Sequence, residues 1–128
     1  MDESIYQEFI IDLYKNPLNS GTIPNPTYHA ELANMTCGDM IEIFILVKSG
    51  RVEDVKFLGK GCAISQASAS LFTEHIKGQT LSKIRKMTKN DILSLLKIDL
   101  TKNPSRMKCA LIVFVATKKA ISTDTTTI

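Results

Sequence analysis

Two hydrophobic periods succeed one another along the chain. Between Asp2 and Pro17, Ile5, Phe9 and Leu13 recur at helical spacing and Tyr6 and Ile10 widen the stripe, which predicts a first helix. Asn16-Pro17 ends it. The stretch NPLNSGTIPNP holds three of the four prolines and reads as a loop. TYHAELANM, Thr27 to Met35, reads as a short edge strand. In DMIEIFILV the period becomes two: Ile41, Ile43, Ile45 and Val47 share one face. Phe44 and Leu46 point the other way, so the second face is expected to be partly covered. Ser49-Gly50 centres a hairpin turn. The return strand sets Val55 and Phe57 on one side and Asp54 and Lys56 on the other.

After Gly59-Lys60-Gly61 the helical period returns. Ile64, Ala67, Ser68, Leu71 and Phe72 form a stripe, and the small residues among positions 63 to 70 predict close approach to neighbouring elements. Gly78 is a fitting stop. LSKIRKM and KNDILSLLKI predict two short helices, with Thr88 and Asp91 in a capping arrangement. Asn103-Pro104 makes an N-cap and first-turn pair for a last helix whose expected buried stripe is Met107, Leu111, Phe114 and Val115. The fold class is therefore α+β. It has a three-stranded antiparallel sheet with an N-terminal helix and several C-terminal helices packed on one face. A single domain over 1–128 is expected, with about 122–128 as a flexible polar tail.

Composition narrows the function classes. A chain of 128 residues with 44% hydrophobic positions suits one core. The net charge of +3 comes without a dense Lys/Arg block, so no nucleic-acid partner is expected. No apolar run approaches the roughly 20 residues of a membrane helix, so no membrane association is expected. MDESIYQEF is acidic and has no basic n-region, so a signal peptide is not expected, and the cytoplasm is the expected compartment.

Three cysteines cannot all pair within one chain, and in a cytoplasmic protein they point to metal or redox chemistry before disulfides. Any single one could be a small buried hydrophobe. Their contexts argue otherwise. Cys37 and Asp39 flank Gly38 and point to the same side of extended chain. Cys62 opens a helix behind Lys60, and Cys109 lies early in the last helix beside Lys108, settings that favour thiolate. The candidate ligand set is Cys37, Asp39, Cys62 and Cys109. No two cysteines form Cys-x-x-Cys, which argues against a zinc finger. An oxygen donor among sulfurs is a harder, weaker partner for iron, which suits a site that releases what it binds. His29 and His75 are not expected to be ligands, and Ser65, Ser68 and Ser70 read as close-packing positions without a base.

At TCGD, GKGCAISQASAS and RMKCALI the chain resembles the NifU-like (IscU/SufU-type) iron–sulfur cluster assembly family, and the resemblance runs from YQEFIIDLYKNPLNSG to the last cysteine. It implies a SufE/NifU-like fold on which Cys37, Asp39, Cys62 and Cys109 hold Zn2+ or a nascent [2Fe–2S] cluster at the same site. It also implies a cysteine desulfurase as sulfur donor and apo iron–sulfur proteins or carriers as recipients. The activity implied is that of a scaffold and sulfur carrier rather than a conventional enzyme. Lys108 stands where the scaffold branch has histidine and, with Arg106, resembles the SufU-type branch. Cys109 is then the candidate sulfur acceptor, with Lys108 and Arg106 as candidate assisting residues. The gap from Cys62 to Cys109 is too short for the insertion that branch usually carries. NPSRM replaces the LPPVK motif of the scaffold branch, so an HscA-type chaperone is not an expected partner. A monomer or weak oligomer is expected. Three readings stay open: cluster scaffold, zinc-dependent sulfurtransferase and, last, a structural zinc module for protein contacts.

Overall fold

A computed structural model describes residues 3–34, 38–96, 100 and 103–126, with side chains from residue 8 to residue 122. The element order is α1 (Glu3–Lys15), β1 (Tyr28–Asn34), β2 (Asp39–Lys48), β3 (Arg51–Lys60), α2 (Ala63–Ile76), α3 (Leu81–Arg85), α4 (Lys89–Leu96) and α5 (Pro104–Thr126). The expected α+β class and the three-stranded antiparallel sheet are present, in the order β1-β2-β3. α5 is helical as far as Thr126, through most of the polar segment expected to fray. Among the described residues, no helix is long and apolar enough to cross a membrane.

The alternation in β2 does what period two dictates. Ile41, Ile43 and Ile45 are buried with Val52, Val55 and Phe57 of β3, and this face packs against Ala69, Phe72 and Ile76 of α2 and Ile112 and Val113 of α5. The β2–β3 connection is two residues long. Ser49 (φ 55°) and Gly50 (φ 76°) both take the left-handed conformation, as a hairpin loop that matches the strand twist requires. The other face is partly covered, as expected: Phe44 is buried, with the His29 ring against it at 4.9 Å.

Two stripes differ from expectation. In α1, Phe9 is 39% exposed and the buried pair is Ile10 and Leu13. α1 does not lie on the sheet. It lies on α2, where Ile10 and Leu13 join Ile64 and Ala67 in a second apolar cluster, and a helix with one neighbour buries only a narrow strip. In α5, Val115 is 45% exposed, whereas Ala110 to Phe114 and Ala116 are buried. This helix is wedged between the sheet and α2 with α4, so most of its circumference is covered and Val115 occupies the open side.

The small residues of α2 serve close packing. Ala67, Ala69 and Ser70 have no exposure, and the Ser68 hydroxyl donates to the Ala110 carbonyl of α5. The Ser70 hydroxyl accepts the Leu18 N–H (3.1 Å). Asn19 donates to Thr73 and to the Glu74 carboxylate. This hydrogen bond, and then the Lys77 charge, hold the exposed Glu74 carboxyl below its ordinary range.

The outer edge of β3 is covered piecemeal. The Gly78 N–H donates to the Val52 carbonyl and the Val52 N–H to the Gln79 carbonyl. The Val55 N–H donates to the Asp54 carboxylate. The Phe57 N–H donates to the Asn19 carbonyl, and the Gly21 N–H to the Phe57 carbonyl. Such coverage protects an edge from pairing with another chain.

Phe57 is 1% exposed at the centre of this arrangement. Phe57→Ala is expected to destabilise the fold by about 3–5 kcal/mol, and Val115→Ala by no more than about 0.5 kcal/mol. Urea unfolding of the two variants measures the difference.

Candidate metal centre

Three elements bring their ends to one corner. Asp39 is the first residue of β2 and pairs with Asn34 at the end of β1. Gly38 makes the tight entry to it, with φ 76° and its N–H donating to the Asn34 carbonyl at 2.9 Å. Cys37 lies outside the described residues. Cys62 is the N-cap of α2 and half-buried. Cys109 is in α5, only 3% exposed, in the cluster formed by Ile64, Ala67, Leu96, Leu100 and Ala110. One carboxylate oxygen of Asp39 and the Sγ atoms of Cys62 and Cys109 all lie within 4.8 Å of one another.

The hydrogen bonding explains the geometry. The first N–H groups of a helix have no partner within it. Here the Asp39 Oδ1, although the residue is 1% exposed, accepts the Cys62 N–H at 2.9 Å. The carboxylate thus sits at the positive end of α2, where a negative group is stabilised. The Cys62 side chain makes no capping bond of its own, which leaves its sulfur available. Its carbonyl accepts from the Ser65 hydroxyl (2.9 Å) and the Gln66 N–H (3.3 Å).

Gly61 is the residue that makes room. Its φ is 134°, and a Cβ there would stand 1.9 Å from Asp39 Oδ1 and 2.7 Å from its Cγ. The string Gly-Lys-Gly-Cys holds the signal for this role, but its target, an acid from another strand, is visible only in the fold.

Cys62 stands at the N-terminus of α2, as expected, with the Asp39 carboxylate beside it, whereas Cys109 is further along its helix. Asn103 caps α5, its side chain accepting the Arg106 N–H at 3.2 Å. Cys109 lies beyond the first turn, where the influence of the helix terminus has faded. Lys60, Lys108 and Arg106 are exposed. Lys108 lines a cavity of about 380 Å3 with Leu32, Asn34, Lys89 and Val115 rather than joining the thiol cluster. His29 bonds to Glu42 (Nε2 to Oε2, 2.6 Å) on the sheet, and His75 is exposed late in α2. Neither belongs to the cluster.

Two thiols and a carboxylate are the donors of a soft or borderline ion, not of Ca2+ or Mg2+. Four-coordinate zinc, with bonds of about 2.0–2.3 Å, holds its donors about 3.3–3.8 Å apart. The present separations, within 4.8 Å, approach that range, and the donor set fits zinc or an iron–sulfur unit. Gly61→Ala should push the Asp39 carboxylate off the Cys62 N–H. Zinc affinity, read by competition with a chromophoric chelator, is expected to fall at least about tenfold, as for loss of a ligand-orienting contact. Unchanged affinity would contradict the role given to Gly61.

Comparison with known proteins gives one consistent picture. A family model described as the NifU-like N terminal domain matches residues 5–125. The chain is 34% identical over 137 residues to the zinc-dependent sulfurtransferase SufU of Bacillus subtilis, covering 95% of this chain and 92% of that one. It is 33% identical to the iron-sulfur cluster assembly scaffold protein IscU of Thermotoga maritima, covering 91% and 92%. The crystal structure of a putative iron-sulfur cluster assembly scaffold protein for the SUF system from Fervidobacterium islandicum superposes with a TM-score of 0.79 at 32% identity, over 94% of this chain and 98% of that one.

Proposed function

Because the chain belongs to the family of NifU-like N-terminal domains, matched over residues 5–125, we propose that it is an iron–sulfur cluster assembly scaffold. It accepts sulfur from a cysteine desulfurase, builds a transient [2Fe–2S] cluster and hands it to apo-proteins or carriers. The observation that carries this reading is the convergence of Asp39, Cys62 and Cys109 within 4.8 Å. Cys37, two residues before Asp39 in the chain, is the proposed fourth ligand.

The chain's own groups divide the work. A thiolate attacks the outer sulfur of the donor persulfide, the donor's S–S bond breaks, and the donor leaves as a thiolate. The proposed acceptor is Cys109. Cys109 is 3% exposed, and the half-buried Cys62 lies beside it in the same cluster. Asp39 sets lability. Its oxygen is the weakest of the four donors toward iron, and when it lets go it still has the Cys62 N–H to hold.

A second reading is a zinc-dependent sulfurtransferase, with zinc keeping the thiols deprotonated until exchange. It is favoured by Lys108 beside Cys109 and by the SufU relative. In that reading Lys108 and Arg106, both exposed on α5, assist the transfer or the docking of the desulfurase.

Anaerobic reconstitution and a desulfurase assay on one preparation separate the two. The scaffold reading expects sulfur-to-iron absorption and transfer of the cluster to an apo-ferredoxin. It also expects Asp39→Ala to hold the cluster several-fold longer. Decay as fast as in the parent protein would sink the role of Asp39. Asp39→Asn, which keeps the acceptor for the Cys62 N–H, controls for the roughly 1 kcal/mol that loss of a helix cap costs. The zinc reading expects a zinc-loaded protein that takes up no cluster yet accelerates the desulfurase, with Cys109→Ser abolishing sulfur uptake.

A further inference from the structure

Two of the three donors at the corner, Asp39 and Cys62, are tied together by a hydrogen bond. Cys109 comes from another helix and needs a tether of its own. Ser68 is placed to supply it. The residue is 1% exposed, and its hydroxyl donates to the carbonyl of Ala110, the residue that follows Cys109. Neighbouring hydroxyls of α2 act locally instead. Ser65 donates to the Cys62 carbonyl and Thr73 to the Ala69 carbonyl, both at α2 itself.

The bond to Ala110 is an addition to α5, not part of it. α5 is helical from Pro104 to Thr126, so the Ala110 carbonyl also accepts within its own helix. Its second lone pair is the one left for Ser68. Around this bond the packing gives little register. Ala67 and Ala69 of α2 and Ala110 and Val113 of α5 have no exposure. Small side chains allow close approach but make shallow ridges, which fix the axial position of a helix weakly. A hydrogen bond is directional. The next specific contact between the two helices, the edge-to-face pair of Phe72 and Phe114, lies about one turn farther from the thiols on both.

We propose that Ser68 is a positioning residue of the metal centre, setting where α5 lies on α2 and so where Cys109 stands relative to Cys62 and Asp39. The inference rests on the ligand set proposed above, and it adds a residue that touches no metal. Ser68 is six residues from Cys62 along α2, roughly 9 Å at the helical rise. A small shift of α5 at this bond therefore reaches the thiol cluster almost undiminished. Removing the hydroxyl leaves no buried group without a partner, because the Ala110 carbonyl keeps its helical bond. The expected consequence of Ser68→Ala is a displaced ligand in a folded protein.

The test titrates metal-free, full-length protein with Co2+, a coloured stand-in for zinc at sulfur-rich sites, and reads sulfur-to-cobalt absorption. Every variant is measured at a temperature where circular dichroism shows it folded. Ser68→Ala is expected to weaken Co2+ binding about fivefold to tenfold, the equivalent of one net hydrogen bond. Thr73→Val, which removes a buried hydroxyl of the same helix that does not reach α5, is expected to bind as the parent does. The two effects on Cys109 should not add. In a Cys109→Ser background, Ser68→Ala should cost less than about a further twofold, whereas in a Cys62→Ser background it should keep its full effect. Parent-like affinity in Ser68→Ala, equal weakening by Thr73→Val, or full additivity with Cys109→Ser would each overturn the proposal. No sulfur or cluster transfer enters the readout, so a parent protein that binds Co2+ but takes up no cluster would count against the scaffold reading alone.

Discussion

The bond from the Cys62 N–H to the Asp39 carboxylate holds the corner on which the rest of the site depends. It joins the start of a strand to the start of a helix, and it exists only because Gly61 has no side chain. One interaction does three jobs. It satisfies an orphan donor of α2, neutralises part of a buried negative charge at a helix terminus, and frees the Cys62 sulfur from capping. An acid held this way is a structural group as well as a proposed ligand, so its loss is never purely a change of ligation.

The third donor reaches the corner through packing rather than polarity. Cys109 sits on α5, and α5 is fixed to α2 by small side chains and by the bond from Ser68 to Ala110, the residue next to Cys109. The second apolar cluster, in which Ile10 and Leu13 of α1 meet Ile64 and Ala67 of α2, also contains this thiol. The corner is thus the seam between a polar strand–helix junction and a dry helix–helix contact. One thiol is half-exposed and the other buried. That asymmetry suits a site that admits sulfur from one direction and shields it from solvent on the other.

Much of this was legible in the chain itself. The alternation from Ile41 to Val47, the Ser49-Gly50 turn and the Asn103-Pro104 helix start each rest on local chemistry, and each element formed where that chemistry put it. The pairing of Asp39 with Cys62 and Cys109 followed from residue type and chain context. What the chain did not disclose depends on neighbours. Phe9 and Val115 are exposed because α1 has one packing partner and α5 has an open side, and periodicity cannot count partners. The role of Gly61 is invisible in the chain because the acid it accommodates comes from another strand.

The most direct check of the central claim is zinc K-edge X-ray absorption on the zinc-loaded protein and on Cys62→Ser and Cys109→Ser. The account predicts a sulfur-dominated shell at about 2.3 Å with one oxygen near 2.0 Å, and loss of one sulfur from the shell in each variant. An unchanged sulfur count in either variant, or a shell of nitrogen and oxygen alone in the parent protein, would contradict it.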